Sequence, residues 1–263
     1  MINVRYKVNR INYIFPAAGL GQRFREVGEL RPKPLIPVEG IPLLIWSIVN
    51  FPILPIDIVW IITLKKHNIK KFFHDNCEEF PYSVRFIELD APTNGPAETI
   101  KFALDEISKD EIILVANTDQ FVFADINSFI DNTRNCISSG RILTMRATGP
   151  QWSYLTRDEE GFVNKVVEKV EISTEATVGI YSFASSHDLT WAINRMIDAD
   201  DRVNREFYVA PVYNYLINKK LLISADFIGQ INHEVRGMGT PTDLKNFQDD
   251  PRIQGIRSQI LIM

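Results

Sequence analysis

Short apolar runs that end abruptly at small or polar residues constrain the fold of this chain most. Ile11 to Pro16 reads INYIFP and stops at a glycine-containing loop, and Glu111 to Ala116 reads EIILVA and stops at Asn117. Runs without polar alternation are typical of strands buried on both faces, as in parallel sheets. Helical patterns lie between such runs, so the chain is predicted to build βαβ units around a mainly parallel sheet.

The rest of the sequence predicts further strands and helices, and the way in which they alternate changes near residue 140. Before that point strands alternate with helices, whereas after it several strands follow one another with few helices between them. Further strands are predicted over 56–63, 84–89, 142–148, 153–157, 163–168, 177–183, 221–227 and 231–235, and helices over 42–50, 65–76, 96–107, 189–197, 208–218 and from 240 onward. No repeat or linker interrupts the 263 residues, so one continuous α/β domain is predicted.

The charge balance argues against a nucleic-acid partner. The chain carries 29 Lys and Arg against 33 Asp and Glu, which gives a net charge of −4. Nucleic-acid binding draws most of its affinity from the neutralisation of phosphates by clustered basic side chains, and the sequence has no basic run. We therefore expect a partner of another kind.

The stretch from 41 to 64 is long enough to cross a bilayer and has Asp57 as its only charged residue. Pro52 and Pro55 divide it, so we predict a short helix and a short strand there and no membrane partner. Cys77 and Cys136 are too few for a disulfide framework. They are predicted to be reduced, buried thiols, and the protein is expected to be cytoplasmic.

A glycine-containing loop follows the first strand and reads AAGLGQRF, from Ala17 to Phe24. Glycines at Gly19 and Gly21 allow backbone N–H groups to approach a phosphate or a base closely. The loop begins like the dinucleotide fingerprint GxGxxG, but Phe24 stands where the third glycine is expected. A tight turn without a ligand is the alternative interpretation of such a short motif.

Two cations lie near this loop in the sequence. Arg23 follows Gly21 by two residues, and Lys33 stands between Pro32 and Pro34, which fix the backbone on both sides of it. A surface lysine rarely needs such framing. We therefore interpret Arg23 and Lys33 as phosphate-binding cations rather than solvated surface charges.

With these residues in place, the sequence resembles a known family. AAGLGQRF followed by RPKPL is similar to the G-x-G-x-R and P-K-P-L signature of the sugar-phosphate nucleotidyltransferases. Later segments resemble the family's other motifs in order: NGPAET at 94–99, NTD at 117–119, VEK at 167–169, TVGIY at 177–181 and GTPTDL at 239–244. WSY at 152–154 and EFY at 206–208 further resemble a bacterial subgroup that serves capsule or surface-polysaccharide assembly.

The resemblance implies a fold and a reaction. The fold is a single GT-A-like, Rossmann-type domain over 1–263, with a mixed, mainly parallel central sheet flanked by helices. Residues 1 to about 140 form the nucleotide-binding part, and about 141–263 form a smaller β-rich acceptor-binding part. The reaction couples a nucleoside triphosphate, with CTP among the candidates, to a sugar phosphate or a related phosphate monoester. Pyrophosphate is released, and Mg²⁺ is the cofactor.

The resemblance also implies roles for individual residues. Arg23, Lys33 and Lys169 are catalytic; Ala17, Ala18, Gly19, Gly21, Asn94, Gly95 and Asn117 bind the nucleotide; Ser153, Glu168, Gly179 and Glu206 bind the acceptor; and Asp119 holds the metal. Tyr181 and Tyr208 are predicted to belong to the core. A phosphate monoester is already largely dianionic at neutral pH, so the reaction needs no general base.

The sequence departs from the family pattern at two positions. Gly237 stands where many members carry a second metal-binding aspartate, which makes Glu234 the candidate for that role. Thr177 replaces the asparagine of the N-x-G-x-Y strand. Both changes fall on the acceptor side of the predicted site, so the acceptor need not be a common hexose 1-phosphate.

Other functions stay open at this point. A GT-A glycosyltransferase shares the fold, but its usual D-x-D is absent because the segment reads Asn117-Thr118-Asp119. A dehydrogenase is disfavoured by Phe24. A catalytically silent nucleotide-binding or regulatory protein is kept open by Gly237. A homo-oligomer is also left open.

Overall fold

The computed structural model describes residues 9–77 and 80–260. The strands are β1 (Ile11–Ala17), β2 (Pro37–Val38), β3 (Ile41–Pro42), β4 (Ile58–Leu64), β5 (Ser83–Leu89), β6 (Ile112–Ala116), β7 (Gln120–Val122), β8 (Gly140–Arg146), β9 (Ser153–Arg157), β10 (Val163–Glu168), β11 (Glu175–Phe183), β12 (Ile223–Gln230) and β13 (Val235–Gly237). The helices are α1 (Gln22–Arg25), α2 (Leu43–Ile48), α3 (Ile69–Asn76), α4 (Pro96–Leu104), α5 (Asn127–Arg134), α6 (Ser186–Asp198), α7 (Val212–Asn218), α8 (Pro241–Gln248) and α9 (Arg252–Ile260).

A nine-stranded sheet forms the centre of the molecule, with β10, β9, β11, β6, β1, β4 and β5 in spatial order. Strand β8 pairs with β11, and β12 pairs with β8. The strands β6, β1, β4 and β5 run parallel, whereas β11 is antiparallel to both β6 and β8. The sheet is therefore mixed with a parallel centre, and the predicted α/β fold class is confirmed.

Helices cover both faces of the sheet, as the unbroken apolar strands require. Along β1, Tyr13 and Phe15 point to the face that packs against α2, α3, α5, α8 and α9. Ile14 points to the opposite face, which packs against α4, α6 and α7. Successive side chains of a strand alternate between faces, so one apolar strand joins both cores.

Polar residues set the starts of several helices. Ser185 accepts a hydrogen bond from the backbone N–H of Asp188 at the start of α6, and Thr240 accepts one from Asp243 at the start of α8. Such caps satisfy N–H groups that have no partner within the helix. Pro96 occupies the first turn of α4, where its missing N–H costs nothing.

A buried ion pair ties β1 to α5 and to the loop before β4. The Asp57 side chain is fully buried, and its carboxylate accepts from the backbone N–H of Ile11 at 2.9 Å. The guanidinium of Arg134 donates to both Asp57 oxygens, at 2.8 and 2.7 Å. These bonds compensate the desolvation of the carboxylate.

The structure corrects several sequence-based predictions. The stretch 41–64 forms α2 and β4 as expected, and within the described residues no helix has the length and apolar character needed to span a bilayer. The strand predicted over 231–235 is wrong, because β13 begins only at Val235, after a turn that contains Asn232 in a left-handed conformation (φ 66°). The helix predicted from Tyr208 begins at Val212. Cys136 is exposed rather than buried, because it lies in a left-handed turn directly after α5.

Candidate active site

The glycine loop begins where β1 ends and leads into α1. Gly21 has a φ of 64°, and a Cβ at this position would lie 3.0 Å from the Cβ of Lys33. A side chain would therefore meet both an unfavourable backbone conformation and a crowded neighbour. The absence of a side chain lets the loop and the Pro32-Lys33-Pro34 segment lie against each other.

Lys33 forms an ion pair with Asp119 across this loop. Lys33 Nζ lies 2.7 Å from Asp119 Oδ2, and the two side chains are 18% and 27% exposed. Asp119 comes shortly after β6, which pairs directly with β1, so both residues lie at the carboxyl edge of the parallel strands. The other carboxylate oxygen of Asp119, Oδ1, is buried without a hydrogen-bond partner. This oxygen is free to bind a ligand that brings a positive charge.

A second turn precedes α4 and is held to a distant segment of the chain. Gly95 adopts φ 136° and ψ 170°, a region almost confined to glycine. The backbone N–H of Phe207 donates to Asn94 O at 2.8 Å, and that of Ala97 donates to Phe207 O at 2.9 Å. The Asn94 side chain donates to Glu98 at 2.9 Å, so it holds the turn.

Two cavities meet at this edge of the sheet. The glycine-loop cavity has a volume of about 720 Å³ and is lined by residues that include Ala17, Gly19, Gly21 and Lys33. The Glu168 cavity has a volume of about 220 Å³ and is lined by residues that include Ser153, Glu168, Lys169 and Gly179. Both are bordered by Arg23, Pro96, Asn117, Asp119 and Tyr208. An extension of the glycine-loop cavity reaches Ala18 and Gly95.

The Glu168 cavity is lined by neutral polar side chains together with charged ones. Glu168 is buried and accepts a hydrogen bond from Ser153 Oγ. Burial raises the pKa of the Glu168 carboxyl above its ordinary value. Gly179, with a φ of 88°, leaves room for the side chains of Asn117 and Gln120, which occupy the space that its Cβ would take. The arrangement suits a compact ligand that is rich in hydroxyl groups.

Lys169 lines the same cavity and comes directly after β10. Its backbone is left-handed, with a φ of 59°, and its N–H donates to Trp152 O at 2.9 Å. The ammonium donates to Tyr208 Oη and lies 4.2 Å from the centroid of the Tyr208 ring. The hydroxyl occupies one N–H of the ammonium, so two N–H groups stay available to an anion.

Some predicted residues lie elsewhere than expected. Glu206 lines the glycine-loop cavity and its extension, not the Glu168 cavity where acceptor binding was predicted. The Glu234 carboxylate accepts from the backbone N–H of Gln230 at 2.8 Å and pairs with His233 at 2.6 Å, and it lines neither cavity. The structure therefore does not bring Glu234 together with Asp119.

The prediction that Tyr181 and Tyr208 belong to the core is correct for one of them. Tyr181 is 4% exposed and belongs to the core, although it also borders the Glu168 cavity. Tyr208 is only half-buried and borders both cavities, so the core prediction was wrong for it. Aromatic residues in an apolar helical pattern predict burial, and the resemblance of the EFY segment at 206–208 was the one sequence signal that pointed to a role for Tyr208 at the site.

A family model places this geometry among known proteins. The model of the MobA-like NTP transferase domain matches residues 14–151, which is more than half of the chain. The chain belongs to this family. The family predicted from the glycine loop and the RPKPL segment is thereby confirmed, and the matched range contains Lys33 and Asp119.

Similar proteins agree with this assignment. The chain is 25% identical to the bifunctional protein GlmU of Methanocaldococcus jannaschii over 84% of its own length, and it spans 57% of that protein. The crystal structure of a nucleoside-diphosphate-sugar pyrophosphorylase from Vibrio cholerae RC9 is 25% identical, covers 90% of this chain and 100% of that one, and has a TM-score of 0.76. A putative glucose-1-phosphate thymidylyltransferase from Bacillus anthracis is 18% identical, covers 90% and 94% of the two chains, and shares the fold with a TM-score of 0.72.

Proposed function

We propose that this protein is a nucleotidyltransferase that joins a nucleoside triphosphate to a sugar phosphate or a related phosphate monoester and releases pyrophosphate. The observation that carries the proposal is the junction of the two cavities at Arg23, Asp119 and Tyr208. In-line displacement at an α-phosphate needs the nucleophile and the leaving group on opposite sides of the phosphorus atom. Two cavities with a common wall provide such an arrangement.

The chain supplies the charges that this reaction needs. Lys33 and Arg23, at the glycine-loop cavity, bind the triphosphate, and Lys169, at the Glu168 cavity, binds the acceptor phosphate. The nucleophile is a phosphate dianion, so no side chain has to remove a proton. Positioning and electrostatic stabilisation therefore supply most of the rate enhancement. On this assignment, the part up to about residue 140 holds the nucleotide, and the part after it holds most of the acceptor.

The residues present fit a magnesium ion at Asp119. Its Oδ1 is buried without a partner, and within residues 9–77 and 80–260 no group of three or more His, Cys, Asp or Glu side chains could hold a metal. Magnesium commonly binds one or two carboxylates, with phosphate oxygens and water completing its shell. When bound, the ion would neutralise charge on the triphosphate. Glu234 is not proposed as its second ligand.

The finer substrate assignment is also a proposal. The Glu168 cavity is lined by Ser153, Thr177 and Gln120 among other neutral polar residues, which favours an acceptor with several hydroxyl groups. The WSY and EFY segments support a role in making precursors of capsule or surface polysaccharides. We include CTP among the candidate nucleotides for the same reason.

Pyrophosphate release tests the proposal. The protein is mixed with Mg²⁺, each of the four common triphosphates, and glucose 1-phosphate or inositol 1-phosphate. Asp119→Asn and Lys33→Ala should each lower turnover on the order of 100-fold, since both groups act on transition-state charge. Lys71 and Asp75 form an exposed Lys–Asp pair on α3, so Lys71→Ala and Asp75→Asn are matched controls that should keep full activity.

Two outcomes contradict the proposal in different ways. Triphosphate binding without pyrophosphate release in any combination supports the catalytically silent binder. Near-normal turnover of Asp119→Asn removes Asp119 from the reaction. In the first case, the measurement of triphosphate binding by calorimetry separates a lost ligand from a lost chemical step.

A further inference from the structure

The Lys169 ammonium contacts the side chain of Tyr208. Lysine has a flexible four-carbon side chain, so its backbone alone does not fix where its charge lies. Its Nζ donates to Tyr208 Oη and lies 4.2 Å from the ring centroid. Lys169 takes part in none of the ion pairs within 4.0 Å that are found among residues 9–77 and 80–260. The hydroxyl and the ring face of Tyr208 are therefore the contacts that hold it.

The backbone on both sides of this contact is fixed. Lys169 is held in a left-handed conformation that residues with a side chain rarely adopt, and its N–H is bonded to Trp152 O. Tyr208 follows Phe207, whose backbone N–H and C=O are bonded to Asn94 and Ala97. The hydroxyl thus has a defined place relative to the glycine-loop cavity.

The chemistry of the contact suits a lysine that must bind an anion. A carboxylate in place of the hydroxyl would neutralise the ammonium and compete with a phosphate for it. A hydroxyl accepts one hydrogen bond and leaves the ammonium two further N–H donors for an anion, although Glu206, beside the Tyr208 hydroxyl, and Glu168 place negative charge in the surroundings. The aromatic face adds attraction without adding charge.

We propose that Tyr208 is a positioning residue that holds the Lys169 ammonium at the junction of the two cavities, where it receives the phosphate group of the acceptor. The role of that phosphate rests on the proposed function. Tyr208 acts through Lys169, so the two residues form one unit. Their effects on phosphate binding should therefore not add.

The test uses inorganic phosphate as a probe, and its binding is measured by calorimetry on the full chain. Phosphate binding is measured for the wild type and for Lys169→Met, and only the binding that this variant loses is assigned to Lys169. Binding at Lys33 is thereby excluded. Tyr208→Phe keeps the ring and removes the hydroxyl, and it should weaken this affinity about tenfold, as expected for one charge-assisted hydrogen bond. Adding Tyr208→Phe to Lys169→Met should change nothing further.

The helix α7 offers a matched control. Tyr215 on α7 donates its hydroxyl to Asp201 at 3.0 Å and borders neither cavity, so Tyr215→Phe should leave phosphate affinity unchanged. If Tyr208→Phe lowers the melting temperature more than Tyr215→Phe does, Tyr208→Met is used in place of Tyr208→Phe, alone and combined with Lys169→Met. In turnover assays with an active substrate pair, Tyr208→Phe should raise KM for the acceptor and leave the triphosphate Kd unchanged.

Two results would overturn this assignment. One is a phosphate affinity of Tyr208→Phe that equals the wild-type affinity. The other is a loss of phosphate affinity on Tyr208→Phe that is as large in the Lys169→Met background as in the wild type. The phosphate cycle does not require turnover. A failure of the proposed function, seen as no pyrophosphate release, is therefore distinct from a failure of the Tyr208 assignment.

Discussion

Replacing Gly95 by alanine should damage the fold and the glycine-loop cavity together. The new Cβ would lie 2.5 Å from Phe207 N and 2.6 Å from Phe207 O. Both neighbours are backbone atoms that form the hydrogen bonds to Asn94 and Ala97. Neither can rotate away as a side chain could, so the two segments must separate.

The structure gives an approximate size for this effect. An alanine at φ 136° and ψ 170° carries a strain of about 1–3 kcal/mol. Each of the two hydrogen bonds that separation breaks contributes about 0.5–1.5 kcal/mol. We therefore expect Gly95→Ala to lose about 4 kcal/mol of unfolding free energy, measured by urea denaturation.

Gly161 provides the matched control for backbone strain alone. Its φ is also positive, at 88°, and a Cβ there would have no neighbour within 4 Å. Gly161→Ala should lose only about 1–2 kcal/mol, the cost of a left-handed residue with a side chain. Equal losses in the two variants would refute the steric argument. Gly95→Ala should also weaken triphosphate binding, whereas Gly161→Ala should not.

Three further changes have expected outcomes. Arg134→Met and Asp57→Asn should each lower the unfolding free energy, measured in urea, by about 3–5 kcal/mol, because each leaves one partner of a buried pair uncompensated. The double variant should lose less than the sum of the two single losses, and strictly additive losses would contradict this. Burial raises the pKa of the Glu168 carboxyl, so the folded protein bears a desolvation penalty that is absent below the ordinary carboxyl pKa and grows as the pH rises through the raised value. The Glu168→Gln variant should therefore be as stable as the wild type near pH 4, be at least as stable at pH 8, and still use the acceptor poorly. A lower stability of Glu168→Gln than of the wild type at pH 8 would contradict the expected direction of the effect. Lys33→Met should release the Asp119 carboxylate from its ion pair, so the affinity for Mn²⁺ in the absence of nucleotide should rise on the order of tenfold. Electron paramagnetic resonance measures this binding, and an unchanged affinity would show that the ion pair does not compete with a cation.

The central part of the fold was predictable because its signals are local. The apolar runs of β1, β4 and β6 show burial on both faces, and the residues that follow β1 and β6 must lie near each other once these strands pair. This reasoning predicts that Lys33 and Asp119 lie at the same edge of the sheet. They do, and Lys33 Nζ lies 2.7 Å from Asp119 Oδ2. It does not predict that they pair with each other, because that depends on the loop conformation at Gly21.

The features that sequence reasoning missed depend on contacts between distant segments. Strands β7 and β13 have three residues each and exist because they pair with each other. Tyr208 leaves the core because Phe207 is bonded through its backbone to the turn at Gly95. Backbone pairing of this kind has no signature in side-chain periodicity. Glu206 is brought to the glycine-loop cavity by the same pairing, whereas the other residues predicted to bind the acceptor line the Glu168 cavity.

On the proposed function, the pairing of Lys33 with Asp119 gives a physical reason why a single carboxylate is enough to hold a cation at this edge of the sheet. Both side chains are largely buried, and a buried charge without a partner is costly, so the pair keeps the site stable without ligands. On the proposed function, a triphosphate attracts Lys33 and thereby frees Asp119 for a cation that arrives with the same nucleotide. A Cβ at Gly237 would lie 3.5 Å from the carboxyl carbon of Asp243, so a carboxylate there would add negative charge beside an existing one, and on the proposed function this charge would disfavour the triphosphate before any cation was bound. With Gly237 in place, the charge of the empty pair is balanced, and affinity for the cation should depend on the nucleotide.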